Sequence, residues 1–374
     1  MTRRPSYDHL DESDVRVRPG RRGSRPRSKD RPAHADAVTG RVVRVDRGRF
    51  TVIVDGVTVT AMKARELGRR SVVVGDDVAL VGDVSGAEGS LARIVRVEPR
   101  TTVLRRTADD SDPVERIVVA NVDTMVIVTA LANPEPRPRL VDRCLVAAYD
   151  AGIEPLLLLT KADLADPEPF LAHFAPLGVE TITSGLASAV PGDAADDAAP
   201  ADHAAPGDET LDPGAIDLLR ARLAGRASVL VGHSGVGKST IVNALVPGLG
   251  RATGHVNEVT GRGRHTSTSA IAAQLPGAAG GWIVDTPGIR SFGLAHVEAE
   301  RIVGFFADLL PGTEECPRGC SHDEPDCALD AYVANAETDE RDALTTRLSS
   351  LRRLLRARRG ETDSTVIHET PPRP

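Results

Sequence analysis

Lysine is nearly absent from this chain: 4 of its 46 basic residues are lysines (Lys29, Lys63, Lys161 and Lys238) and the rest are arginines. An ammonium is a compact point charge that a planar guanidinium does not replace, so each remaining lysine marks a position worth inspecting. Aromatic residues are also scarce, at 3%. Residues 36–104 hold a single one, Phe50, which excludes a platform of rings for stacking bases in that stretch. Four cysteines in 374 residues do not make a disulfide scaffold. No apolar run approaches the roughly 18 residues that a membrane-spanning helix needs. The opening residues lead into polar and charged sequence, without the apolar core of a secretory signal. These absences point to a cytoplasmic protein with no membrane partner.

What is present is enough for packed cores: 41% of the residues are apolar, and the length suggests two or three domains. The net charge of −7, taken whole, argues against nucleic acid as a partner. Its distribution argues otherwise. Residues 1–35 carry +5, 36–104 carry +2, 185–214 carry −7 with no Lys or Arg, and 341–359 carry +6. Basic charge at both ends flanks an acidic middle, an arrangement able to grip RNA from two sides.

Residues 1–35, rich in Arg, Pro, Ser and Gly, read as a disordered basic arm, and 361–374 as a disordered tail. Short β-rich runs follow the arm at 38–46, 50–54, 57–62, 77–81 and 91–97, with Asp55-Gly56 as a hairpin turn. Five such strands suit a small OB-type barrel, although an SH3-like barrel has the same periodicity. After Pro99 the texture is α/β. Residues 124–130, 155–160, 227–231 and 281–285 read as buried parallel strands, with helices near 139–151 and 238–246. Residues 185–214 read as an acidic flexible insertion. Leu344, Leu348, Leu351 and Leu355 mark one face of a late helix whose other faces carry Arg. Cys144 lies in an apolar helical stretch and reads as core.

The stretch Gly232, His233, Ser234, Gly235, Val236, Gly237, Lys238, Ser239 fits G-x-x-x-x-G-K-[ST] between a strand and a helix, with Thr240 next to it. Backbone N–H groups of such a loop cradle phosphates, the lysine reaches the terminal ones, and the serine hydroxyl ligates Mg²⁺. Asp285-Thr286-Pro287-Gly288 follows the strand at 281–285, where a Mg²⁺-holding carboxylate is expected and Gly288 can offer its N–H to a γ-phosphate. Alone, this pattern is a common turn.

Thr160, Lys161, Ala162 and Asp163 end another strand. Asp163 there can accept from N1–H and N2–H₂ of guanine, with the Lys161 stem along the base; a polar loop is the alternative. Between the two phosphate motifs, His265, Thr266, Ser267 and Thr268 sit in a Gly/Arg-rich loop suited to closing on Mg²⁺ and γ-phosphate, Thr266 being the favoured hydroxyl. Finally, Cys316-x₃-Cys320-x-His322-x₄-Cys327 gathers a Cys₃His set on one short loop. That set fits tetrahedral zinc better than a redox pair.

With Pro99-Arg-Thr-Thr-Val-Leu104, Ala120-Asn121-Val122-Asp123, Gly75-Asp76 and the basic late helix, these motifs resemble the RsgA (YjeQ, EngC) family, circularly permuted GTPases that depend on the small ribosomal subunit. The resemblance runs from about residue 36 to 360. Motif order agrees with it, because residues 160–163 precede 232–239, which precede 285–288. The implied fold is multidomain α/β. It comprises an OB-fold RNA-binding domain (36–104), a circularly permuted P-loop GTPase domain (105–296, interrupted at 185–214) and a zinc-binding helical domain (297–360). The departures are Thr160 where the family usually has Asn, zinc spacings one residue tighter at both gaps, and His-Thr-Ser for His-Thr-Thr. Thr183-Ser184-Gly185 is the candidate remnant of a base-contacting Ser-Ala motif.

The resemblance implies GTP hydrolysis during late maturation of the small subunit, with Lys238, Asp285, Gly288 and His265 at the reaction. Mg²⁺ would be held by Ser239, Thr266 and Asp285, and one structural Zn²⁺ by the Cys₃His set. The expected partners of this monomer are the small subunit with its rRNA, and GTP or GDP. Because γ-phosphate is sensed just before residue 297, nucleotide state is expected to move the zinc domain relative to the barrel. Ile289 occupies the place of the water-orienting Gln of Ras-type enzymes, so the site is expected to be slow without a partner. His265 serves either the chemistry or RNA contact. Two rivals remain: another P-loop enzyme such as an ATPase or kinase, which residues 160–163 argue against, and a passive RNA-binding module, which intact Lys238, Ser239 and Asp285 argue against.

Overall fold

A computed structural model describes residues 34–68, 72–107, 115–186, 211–247, 270–286, 293–294 and 296–360. The basic arm to residue 33, most of the acidic insertion (187–210), the loop bearing His265 and Thr266, Gly288 and Ile289, and the tail from 361 lie outside the described residues. The chain divides into units Met1–Asp36 and Ala37–Pro374, and every element below belongs to the second.

The first strands are β1 (Val38–Asp46), β2 (Arg49–Val54), β3 (Val57–Lys63), β4 (Asp77–Gly82) and β5 (Ala92–Val97). Arg47-Gly48 and Asp55-Gly56 both take positive φ at each residue, the condition for tight hairpin turns that match strand twist. Alternate residues Phe50, Val52 and Val54 turn inward, as period-2 patterning requires. β3 pairs parallel with β5, β5 antiparallel with β4, and β4 returns to β1. That closed order, with its parallel pair, is the OB arrangement rather than a simple meander.

The α/β part contains β8 (Thr124–Ala130), β9 (Glu154–Thr160), β10 (Glu180–Thr183), β11 (Ala227–Val231), β12 (Ile271–Gln274) and β13 (Trp282–Asp285). Its order is β10-β9-β8-β11-β13-β12, parallel except for β12. All seven residues of β8 are buried, as in a strand covered on both faces. Met125 and Ile127 face a core shared with α1 (Pro138–Ala151) and α2 (Glu168–Phe174), while Val126 and Val128 face α3 (Pro213–Leu223) and α4 (Lys238–Leu245). Cys144 is buried in the first of these cores, and burial pushes its thiol up to about 12.

The edge of this sheet does not end in solvent. β1 of the barrel pairs with β12 through Arg44 and Ile271, so barrel and α/β part form one 11-stranded sheet. An otherwise exposed edge is thereby covered. A small hairpin, β6 (Val103–Arg106) with β7 (Arg116–Ala120), stands beside the junction. There the buried Asp76 carboxylate accepts from Arg100 at 2.7 and 2.9 Å, and Asn121 donates to Gly75 O at 3.0 Å. A Cβ on Gly75 would lie 2.0 Å from Ala120 O, and its φ is +90°, so only glycine fits this crossing.

After β13 the chain is helical: α5 (Ala299–Val303), α6 (Leu310–Thr313), α7 (Ala328–Ala334) and the long α8 (Thr338–Arg359). Among the described residues no helix is long and apolar enough to cross a membrane. Leu348, Leu351, Leu354 and Leu355 of α8 are buried in the core shared with α1. Its arginines differ from the sequence-based expectation of a face open to RNA. Arg347, Arg352, Arg353, Arg356, Arg358 and Arg359 all donate to intramolecular partners. The reason is local: Asp142, Asp308, Asp323 and Asp330 come from other segments and meet the helix.

Candidate nucleotide site and metal cluster

β11 delivers the chain to Gly232, where a Cβ would stand 2.3 Å from Val128 O; the backbone turns there against β8 because no side chain intervenes. The loop then reaches α4, whose first residue is Lys238. Ser234, Gly235, Ser239 and Thr240 are exposed on the loop and first helical turn, and Val236 is buried beneath. The Lys238 ammonium donates to Gly232 O at 2.8 Å and His233 O at 2.7 Å. Burial lowers the pKa of Lys238 and raises that of Asp285, and each charge opposes the other's shift. A cation and a carboxylate are therefore close enough to influence one another at the start of α4, chemistry suited to phosphate oxygens and a divalent ion.

Thr286 was not singled out by sequence reasoning. Its hydroxyl is buried and donates to Leu230 O at 2.7 Å, which pins the exit of β13 to the strand feeding the loop. A hydroxyl directly after Asp285 was the available signal.

The turn after β9 comes to the same place. Thr160 is 3% exposed and its hydroxyl donates to Val236 O at 2.8 Å. Lys161, at φ +59°, sends its ammonium to Asn133 O. Ala162 N donates to Ser184 O at 3.2 Å, and Asp163 Oδ1 accepts from Leu186 N at 3.0 Å. Ser184 and Gly185 thus lie alongside Asp163, and the Ser184 hydroxyl is buried without a partner among the described residues. Leu186 and Asn133 were missed, since nothing local in their sequence marks a contact to a distant turn. His265, Thr266 and Gly288 lie outside the described residues.

Cys316, Cys320, His322 and Cys327 place one ligand atom each within 4.8 Å of one another. Cys316 Sγ is 3.8 Å from Cys327 Sγ and 3.6 Å from His322 Nδ1. Two sulfurs each about 2.3 Å from a tetrahedral ion stand about 3.8 Å apart, so the donor set fits zinc. Desolvation pushes the Cys320 thiol up to about 12, which means that thiolates gathered here need a cation among them. The loop is fixed from outside: Arg352 donates to His322 O at 3.0 Å, and Asp323 receives Arg356 at 2.8 Å and Arg359 at 2.6 Å.

The chain matches the model of the RsgA GTPase family over residues 97–189 and 209–295. The small ribosomal subunit biogenesis GTPase RsgA of Pseudomonas aeruginosa is 39% identical over 267 residues, covering 69% of each chain. The chain belongs to the RsgA GTPase family. A second RsgA, from Gemmatimonas aurantiaca, is 36% identical over 271 residues, covering 72% of this chain and 80% of its own. Two solved structures share the fold. YjeQ from Thermotoga maritima has a TM-score of 0.52 at 22% identity over 84% of this chain and 98% of its own. The circularly permuted GTPase YloQ has a TM-score of 0.51 at 19% identity, over 86% and 98%. The gap between the two stretches matched by the RsgA model falls inside the acidic insertion.

Proposed function

We propose that this chain binds and hydrolyses GTP on the small ribosomal subunit during late maturation, as a cytoplasmic monomer. The observation that carries the reading is convergence: three motifs far apart in sequence meet through the Thr160–Val236 hydrogen bond and the opposed charges of Lys238 and Asp285. The loop from Gly232 to Thr240 cradles the phosphates, and Lys238 stabilises charge on the terminal ones. Asp163 accepts from the guanine Watson–Crick edge. Mg²⁺, which neutralises charge on the phosphate oxygens, would be held by Ser239, Thr266 and Asp285. Water attacks the γ-phosphorus as the bond to the β-γ bridging oxygen breaks, with Gly288 N–H donating to the γ-phosphate. Ile289 carries no group to orient that water, so His265 or the bound subunit must help.

The Cys₃His set would hold one structural Zn²⁺. Residues 36–104 act as the RNA-binding part, and nucleotide state is coupled to the zinc-bearing helices. GTP hydrolysis measured with and without small subunits tests the reading. Turnover is expected to be low alone and to rise by at least about tenfold with subunits, the scale on which a supplied catalytic group acts. Equal rates would overturn the dependence on the subunit.

A further inference from the structure

Guanine presents two acceptors, N7 and O6, on one edge and two donor groups, N1–H and N2–H₂, on another. Reading N7 therefore requires a donor from the protein. The turn at 160–163 is the segment that faces a base under the function proposed above, on which this inference rests, and its side-chain donors, with the Ala162 N–H, are already committed. A threonine hydroxyl has one hydrogen. That of Thr160 is 2.8 Å from Val236 O, with Thr129 O farther off at 3.4 Å, and the side chain is 3% exposed. What is left on Thr160 is a lone pair, which repels N7. The Lys161 ammonium is turned to Asn133 O, the Ala162 side chain has no polar atom, and its N–H is given to Ser184 O. Asp163 accepts only; one oxygen takes Leu186 N–H at 3.0 Å, and a carboxylate retains further lone-pair sites.

We propose that the side chains of this turn read guanine through its N1–H and N2–H₂ edge alone and leave N7 unread. Thr160 is a positioning residue that ties the base-reading turn to the phosphate loop at Val236. An asparagine at the same place would carry an amide with two donor hydrogens and could serve the loop and N7 together.

The test is equilibrium binding to the full chain of GTP, 7-deaza-GTP (N7 replaced by C–H), ITP (no 2-amino group) and ATP. The unaltered protein should bind GTP and 7-deaza-GTP within about twofold, and ITP at least about tenfold more weakly, the range of one hydrogen bond to a charged acceptor. Thr160→Val should weaken GTP and 7-deaza-GTP in parallel, because it loosens the loop rather than a base contact. Thr160→Asn should open a gap of about fivefold in favour of GTP, the scale of one neutral hydrogen bond. A preference of the unaltered protein for GTP over 7-deaza-GTP of fivefold or more would overturn the inference while leaving the nucleotide site intact. So would a Thr160→Val variant that weakens GTP alone, or a Thr160→Asn variant with no gap. Failure of GTP to bind, or binding of ATP as tight as GTP, would remove the guanine site itself and the inference with it.

Discussion

On the barrel, Arg47, Arg49, Arg65 and Arg93 are exposed, and their side chains have no hydrogen-bond or ion-pair partner among the described residues. On α8, six arginines are tied down, several through two partners. Arg347 spans Asp308 and Pro176 O, Arg352 spans Asp330 and His322 O, and Arg353 spans Asp142 and His173 O. By charge alone the order is reversed, with +2 over residues 36–104 and +6 over 341–359. The difference teaches that a guanidinium count measures RNA affinity only where no acid from elsewhere in the fold claims the charge. Arginine on α8 is cement between the metal loop, the helix and α1; on the barrel Arg41, Arg96 and Arg100 hold acids, while Arg47, Arg49, Arg65 and Arg93 are surface. The two attachments differ accordingly. The barrel joins the P-loop sheet by backbone pairing of β1 with β12, whereas α8 joins it by leucines and guanidinium contacts.

Removing the zinc proposed for the Cys₃His set should separate the two regions most sharply. Structural zinc contributes on the order of 10 kcal/mol in small zinc-binding peptides. In the zinc-loaded protein, chelation is expected to raise amide exchange throughout residues 310–359 while β1–β5 keep their protection. Equal loss of protection in both regions would mean that the barrel leans on the metal loop, and would erase the contrast.

The buried pair at the helix junction comes next. Asp142 and Arg353 have side-chain exposures of 4% and 15%, and the guanidinium also lies over the Phe174 ring at 5.2 Å. Arg353→Met is expected to cost about 3 kcal/mol, because a buried carboxylate loses its cation. Arg347→Met at Asp308, where the carboxylate is 37% exposed, should cost at most about 1 kcal/mol. Denaturant titration of both variants checks the order. Similar costs would show that α8 is held by its leucines and that the arginines contribute little.

Much of this was legible in advance, and what escaped has a physical cause. Alternation marked the barrel strands, and a continuous apolar run marked β8, because those patterns are local. The pairing of Arg44 with Ile271 escaped, since no window of sequence records a register between strands so far apart. The side of α8 that Arg occupies was readable from Leu348, Leu351 and Leu355. Which guanidinium meets an acid was not, because Asp142 and Asp323 reach the helix only through tertiary packing. For the site, Gly232 to Ser239 and the Cys₃His set were recognisable from spacing, whereas the bond from Thr160 to Val236 needed the fold.

The proposed binding to the small subunit sharpens the comparison at a smaller scale. Arg49, Met62 and Arg93 are successive cross-strand neighbours on β2, β3 and β5, so the two arginines share one outer face of the barrel. Arg49→Glu with Arg93→Glu should weaken subunit binding by about tenfold or more and flatten its salt dependence, as loss of phosphate contacts does. Arg356→Gln on α8 should lower thermal stability and leave the affinity of the folded protein within about twofold, as expected of a charge that phosphate does not reach. The reverse outcome would restore α8 as the RNA-facing element.

The smallest effect expected is with acid. The Arg347 guanidinium beside Asp308 holds that carboxyl below its ordinary value, mainly through their hydrogen bonds. A carboxylate depressed in the folded state contributes stability that is complete above its unfolded value, about 3.9, and is lost as pH falls through the folded one. Lowering pH from 5 toward 3 should therefore loosen the contact between α8 and the segment before α6 first. Strand β2 of the barrel contains no carboxylate, so it has no such contact to lose. Amide exchange at residues 340–350 compared with β2 across that range checks the order of events. If β2 opens at the higher pH, the barrel rather than the arginine-tied helix is the acid-sensitive part, and the division of labour between the two sets of arginines is wrong for stability even where it holds for RNA.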